Sequence, residues 1–308
     1  MLPRTVEIAL LLLMTGAAPL LGQRHSAWSL TVDNDLFAIW RSTSARTDRD
    51  YSSGVELSLA RPLSPAVRWT RTLVLTLDHQ LFTPDIREPR PVPEDRPFAA
   101  VLSAGATLQF EQPDRRHSFG VGLAVTGPPA LGDELQELVH DLLNSPVAHG
   151  WEQQLPFEVG VSVAYAGDRR LIEAGSEDGV GVRTAARWGG ELGTIRSAAT
   201  IGLGTVAGWR PPRAWRPPAP EPSERSGLRV FIPLGVGLDI VGQSIVLDGG
   251  VIAKSTGLDR ETLVPYAEFG LGVEIGAVAV SWTGHVTGRE FETQPGAHRY
   301  GTFKLSIR

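Results

Sequence analysis

The chain has 308 residues, no cysteine, 34 glycines, 7% aromatic residues and a formal net charge of −5. Without cysteine it is neither a lipoprotein nor disulfide-stapled, and the acidic balance argues against nucleic acid as a partner. No later stretch approaches about 18 continuous apolar residues, so no helical membrane span is expected, and one domain suffices if it is a large barrel.

At the N-terminus Arg4 lies just before the apolar run Ile8 to Met14, and small residues follow up to Gly22. The run is too short for a membrane helix and matches the core of a secretory signal. Residues 1–22 are therefore read as a signal peptide and 23–308 as the mature domain, a buried N-terminal strand being the competing reading.

Beyond residue 25 the dominant period is two. Val55, Leu57 and Leu59 alternate with Glu56 and Ser58; Leu73, Leu75 and Leu77 with Thr72, Thr76 and Asp78. Leu102 to Phe110, Phe119 to Val125, Val159 to Tyr165, Phe269 to Ile275 and Phe303 to Ile307 repeat the pattern. Alternation puts one side of each strand in an apolar phase and the other in a small or polar one. The second phase is rich in Gly, Ala, Ser and Thr, which suits a crowded or hydrated lumen better than the bulky core of a soluble sandwich. Segments of about ten residues also match a tilted membrane strand. The expected fold is all-β: an antiparallel up-and-down transmembrane β-barrel with a short helix in an external loop.

The connections near 61–66 and 112–116 are short, while those near 36–51, 81–97 and 127–156 are long. Short inner turns and long external loops place the N-terminus on the periplasmic side. The Pro-rich stretch Pro211 to Pro222 is the exception. Residues 169–191 and 227–252 each parse as one long strand or two short ones. Merging both predicts twelve strands, with fourteen as the alternative.

Four polar islands punctuate these strands: Asp33-Asn34-Asp35, Thr47 to Gly54, Asp95 to Phe98, and a helix over 128–144 carrying Gln136 and His140. They follow the first, third and fifth strands, so an up-and-down barrel gathers them at one rim. In the helix, Leu131, Leu135, Leu138 and Leu142 form an apolar stripe, with Asp133, Gln136, Glu137 and His140 opposite. Gln136 and His140, four apart, share one side. The bland reading is a solvated loop helix with an idle histidine. The oxygens of Asn34, Asp35 and Ser52 suit a hard cation such as calcium, although Asn34-Asp35 also reads as a turn cap and Asp48-Arg49 as a surface pair. With no cysteine and no histidine pair, zinc is not expected. Together the islands support ester hydrolysis, in which a histidine deprotonates water while a metal and an amide donor stabilise an oxyanion.

These islands resemble one family, the outer-membrane lipid A 3′-O-deacylases, from about Trp28 to the C-terminus. Asn34-Asp35 resembles the family's Asn-Asp pair, Thr47 to Gly54 its Thr-Asp-Arg-x-Tyr-Thr-Asn-Gly motif, and Asp95 to Ala99 its Asp-Arg-Pro-Tyr-Ala segment. Gly127-Pro128 followed by Gln136 and His140 repeats its Gly-Pro…Gln-x-x-x-His spacing; Ile245 to Gly249 and Arg289-Glu290-Phe291 also look familial. The resemblance implies a twelve-stranded outer-membrane barrel and calcium-dependent removal of the 3′-linked acyloxyacyl chain of lipid A. Its substrate would be lipopolysaccharide, reached from the external leaflet, with the barrel a monomer. His140 would be the base and Gln136 its neighbour; Asn34 would assist the oxyanion, with Asp35 and Ser52 organising the metal.

Three departures stand out. Tyr51-Ser52 replaces the family's Tyr-Thr. The lysine expected in the loop around 81–97 is absent, with Arg87 or Arg90 as candidate replacements. The chain stops at Arg308, where such barrels usually end in Phe or Trp. The rival readings are an outer-membrane phospholipase using Ser52 as nucleophile, and a non-catalytic barrel such as a narrow porin or a surface-binding protein.

Overall fold

A computed structural model of the chain describes residues 26–41, 49–63, 69–85, 94–143, 149–176, 178–212, 227–252 and 255–308. The segment read as a signal peptide lies outside them, as do Thr47, Asp48, Arg87 and Arg90 and most of the Pro-rich stretch.

Twelve strands form a closed barrel in which each strand pairs with its sequence neighbours and the first with the last. They are β1 (Ala27–Asn34), β2 (Asp50–Pro62), β3 (Thr70–Thr83), β4 (Ala99–Gln112), β5 (Arg115–Thr126) and β6 (Val159–Gly175), followed by β7 (Val180–Gly193), β8 (Arg196–Trp209), β9 (Leu228–Ser244), β10 (Leu263–Ile275), β11 (Val278–Thr287) and β12 (His298–Ile307). All neighbouring pairs are antiparallel; Val32 faces Phe303 where β1 closes on β12 and Val55 where it meets β2. Closure leaves no free sheet edge, which a barrel in lipid requires.

The alternation decides which side faces out. On β5, Phe119, Val121 and Leu123 are 53–63% exposed, and Val159, Val161 and Val163 of β6 and Phe303, Leu305 and Ile307 of β12 are exposed too. A soluble barrel would bury these residues; here they form an apolar outer wall. Among the described residues no helix is long and apolar enough to cross a membrane. The inward phase carries ion pairs instead: Arg116 with Asp168, Arg187 with Glu268, and Arg229 and Arg308 with Glu274.

The twelve-strand reading holds, but one of its segments divides differently. Residues 169–175 continue β6, and a turn containing Asp178 and Gly179 separates them from β7. A register shift between Arg170 and Ile172 interrupts the period, yet the strand continues to Gly175, so the break falls at the turn residues and not at the boundary where apolar patterning weakens. Residues 228–244 form one strand, followed by a short helix, α2 (Ile245–Asp248). Loop length does not alternate strictly either. Only Thr194 and Ile195 link β7 to β8 at the rim of the long loops, whereas 210–227 is a long connection at the opposite rim.

Two apolar clusters shape the loop rim. Inside the mouth, Ile245, Val246 and Leu247 of α2 pack with Ala99, Val101, Leu155 and Phe291. On the outer wall, Leu81, Phe98, Ala100, Ala130 and Trp151 form a second cluster. Ala99 and Ala100 are consecutive residues on β4 and so point to opposite sides of the wall. The rim loops therefore grip the wall from both sides.

Candidate active site

The first corner forms where β1 ends. Asn34 is extended, and its Oδ1 accepts the Leu36 amide at 2.8 Å, capping a 3-10 turn over Asp35–Phe37. The cap reading of Asn34 is thus realised, and an Asn side chain serves it because its oxygen reaches an amide two residues on. The amide hydrogens of Asn34 remain its donors for another group. Asp35 is 1% exposed, and its Oδ2 accepts the Arg49 amide at 3.1 Å. Beyond it, Phe37 packs edge-on to Phe303 and Trp40 to Phe269 and Trp282, so the chain after Asp35 is fastened to the outer wall of β10–β12. The Trp282 indole also donates to the Phe37 carbonyl at 3.1 Å.

Across the strand pair, a bulge between Tyr51 and Ser53 interrupts the β2–β3 register. It lets Tyr51 donate to Asp33 on the inner side at 2.7 Å while Ser52 pairs with the Thr83 hydroxyl. Both hydroxyls are buried. Arg49 is not a simple surface residue: it is half-buried and pairs with Asp50 at 3.4 Å.

The second corner is the helix, where the structure buries Gln136 and His140 of the expected polar face and leaves Asp133 and Glu137 of that face exposed. Pro128–Ala130 form a 3-10 turn, Leu131 takes a left-handed conformation, and the helix α1 runs over Gly132–Leu143. Its buried face is Gly132, Gln136 and His140, whereas Leu138 is exposed. A leucine stripe normally marks the core-facing side. Here the covered seam runs through Gly132, Gln136 and His140, with Leu131 and Leu135 half-buried beside it. Gln136 Oε1 accepts the Trp151 indole N–H at 2.7 Å. Gly132 allows this seating: a Cβ there would come within 2.5 Å of the Trp151 ring and 2.6 Å of Ala100. The Ala130 carbonyl and His79 Nε2, 2.6 Å apart, tie the helix entry to β3.

The two corners meet through β3. Leu81 and Thr83 lie on one face of that strand; Leu81 belongs to the Trp151 cluster, and Thr83 holds Ser52. The structure thus places Asn34, Asp35 and Ser52 at the β1–β3 end of the rim and Gln136 and His140 beside it against β4. Five residues not anticipated as site residues join them. Asp50, Arg96 and His298, all buried, and the half-buried Glu290 form a polar chain beside Asp35, and Trp151 orients Gln136. Arg96 Nη2 lies 2.8 Å from Glu290 and 3.2 Å from Asp50. Burial pulls the Arg96 guanidinium down, but the Glu290 and Asp50 carboxylates outweigh it and hold it above its ordinary value. The Asp95–Phe98 and Arg289–Phe291 motifs were the signals available for two of these residues. Nothing local in the sequence links His298 to Asp35.

The candidate donors at this corner are hard oxygens: the buried Asp35 carboxylate, the Asn34 amide next to it in the chain and the Ser52 hydroxyl on Thr83. That chemistry fits calcium and disfavours soft metals. Among the described residues, no group of three or more His, Asp or Glu forms a ready-made metal cage. A cation here would rely on neutral oxygens beside the single Asp35 carboxylate.

Comparison with known proteins bears on the whole chain. The model of the family described as outer membrane protein LpxR matches residues 6–308. LpxR from Salmonella typhimurium superposes with a TM-score of 0.79 at 19% identity, covering 91% of this chain and 99% of that one. The β domain of the Bordetella autotransporter BrkA gives a TM-score of 0.49 at 11% identity, covering 92% and 98%. No curated protein sequence matches the chain.

Proposed function

The chain belongs to the LpxR family of outer membrane proteins, and from that premise we propose that it is an esterase that removes the 3′-linked acyloxyacyl chain of lipid A. As a member of that family with a closed twelve-stranded barrel, it is a bacterial outer-membrane protein. The observation that carries the enzymatic reading is the burial of Gln136 and His140 against the wall, at 3% and 6% exposure, on a helix whose Leu138 is exposed. An idle loop histidine would be solvated.

In the proposed reaction His140 accepts a proton from water as the water oxygen attacks the ester carbonyl carbon. The carbonyl electrons move to oxygen, and the Asn34 amide hydrogens donate to that oxyanion. As the tetrahedral species collapses, the carbon–oxygen bond to the sugar-side alkoxide breaks and His140 returns its proton to it, leaving a free fatty acid and an alcohol. Gln136, fixed by Trp151, lies one helical turn from His140 and orients the groups around the imidazole. Asp35 would hold calcium, with Asn34 and Ser52 as neutral oxygen ligands; when bound, the ion supplies positive charge near the oxyanion. The apolar outer wall leads from the external leaflet to this rim, so acyl chains reach the ester without leaving lipid.

The rival readings find less support. Ser52 pairs with Thr83, a hydroxyl that supplies no base to activate a serine. The lumen is crossed by ion pairs, which suits a stabilised wall better than a pore.

The test is mass spectrometry of lipid A after incubation of the purified barrel with lipopolysaccharide, with calcium and with chelator. Calcium-dependent loss of one acyloxyacyl unit is expected, and His140→Ala is expected to abolish it while keeping heat-modifiable migration. Full activity of the folded His140→Ala barrel sinks the assignment; activity in chelator sinks the calcium role.

A further inference from the structure

Two motifs take no part in the hydrolytic step, Asp95–Phe98 and Arg289–Phe291, yet both reach the site. Arg96 has no exposed surface, and its guanidinium lies 5.9 and 5.2 Å from the ring centres of Phe82 and Phe291. Its Nη2 pairs with Glu290 at 2.8 Å and with Asp50 at 3.2 Å. Asp50 Oδ2 is 3.6 Å from His298 Nδ1, and His298 Nε2 is 3.4 Å from Asp35 Oδ1 and 3.0 Å from the Tyr51 carbonyl. Asp50 also holds a φ of 63°, a left-handed conformation that persists where the surroundings over-determine it.

The same short segment reaches the other corner. Phe98 packs on Trp151 with ring centres 5.1 Å apart, and Trp151 donates to Gln136 at 2.7 Å. A Cβ on Gly150 would come within 2.6 Å of the Phe98 ring, so the contact admits no slack on that side. The Phe98 carbonyl accepts the Leu155 amide at 2.9 Å, fixing the segment to the loop that carries Trp151. Only Pro97 therefore separates the residue that starts the charge chain to Asp35, Arg96, from the one that starts the aromatic chain to Gln136, Phe98. A buried ion pair gains little net stability over apolar packing, so its use here is sought in the geometry it fixes.

We propose that Arg96 is a positioning residue that sets the spacing between the two halves of the site. It acts on Asp35 through Asp50 and His298, and its segment acts on Gln136 and His140 through Phe98 and Trp151. The inference rests on the hydrolytic reading above. A sub-ångström shift of either half changes kcat more than substrate binding, because the ester must meet base and oxyanion donor at once.

The test uses the full barrel with Arg96→Met, Arg96→Lys and Glu290→Gln. Each is followed by heat-modifiable migration, by kcat and KM on lipopolysaccharide, and by calcium titration in a calorimeter without substrate. For Arg96→Met, kcat is expected to fall about 10²-fold with KM within about twofold, and calcium affinity to weaken about tenfold. Arg96→Lys should recover part of both losses. A folded Arg96→Met barrel with unchanged kcat and calcium affinity overturns the proposal. Should that variant fail to fold, Glu290→Gln decides, since it removes the charge that holds Arg96 while keeping the side chain's volume: lowered kcat and affinity uphold the proposal, and unchanged values overturn it. A wild-type barrel that binds calcium without releasing acyl chains removes the hydrolytic reading, while weaker binding by the variants would still uphold positioning. A wild-type barrel that does neither overturns both.

Discussion

At the scale of single residues, several candidate site groups make two contacts at once. Asn34 shows how one side chain can serve two ends: its oxygen caps the turn that presents Asp35, and in the proposed reaction its amide hydrogens donate to the oxyanion. Trp151 has a similar double use, stacking on Phe98 through its ring and orienting Gln136 through its N–H. Replacing Trp151 with Phe keeps the ring contact and deletes the hydrogen bond. The loss of about 1–1.5 kcal/mol of positioning predicts a fall of about tenfold in kcat. Steady-state kinetics on lipopolysaccharide, with KM measured separately, checks it.

At the scale of elements, α1 depends on how closely it lies on the wall. Its seat is Gly132 against Trp151 and Ala100, so a larger side chain at that position must lift the helix. Gly132→Leu is expected to cost about 1–3 kcal/mol of local packing. Because the strands close without α1, the barrel should remain heat-modifiable while acyl release is lost. Retained activity in that variant would show that the helix need not touch the wall. The segment after Asp35 is seated in the same manner, with Phe37 and Trp40 on the aromatic face of β10–β12.

At the scale of the whole molecule, the lumen is held by charge pairs and the site by loops, and the two separate experimentally. Arg116 and Asp168 are both buried, with Nη2 at 2.7 Å and Nε at 3.0 Å from Asp168 Oδ2, toward the rim opposite α1. Asp168→Ala removes the carboxylate from a buried guanidinium and is expected to cost about 3–5 kcal/mol. The temperature at which the barrel loses its compact migration should drop, while kcat measured well below that temperature stays at the wild-type value. A drop in kcat with unchanged thermal stability would contradict this division between lumen and rim.

The period of two in Phe119 to Val125 and its counterparts determined the strands, and their small inward residues determined the barrel, because side-chain direction in a strand follows directly from position. The polar islands likewise marked the rim and its candidate residues Asn34, Asp35, Ser52, Gln136 and His140. What the alternation could not carry was the seating of α1: a leucine stripe states that a helix is two-faced, and only the neighbouring wall decides that Gln136 and His140 are covered while Leu138 is exposed. Nor could the turn between β6 and β7 be read from apolar patterning, which continues weakly across it. His298 and Asp35 lie at opposite ends of the chain and meet only because β12 closes on β1. Local sequence fixes which way a side chain points along its own element; which distant side chain it meets is decided by closure of the barrel and by the loops folding over its rim.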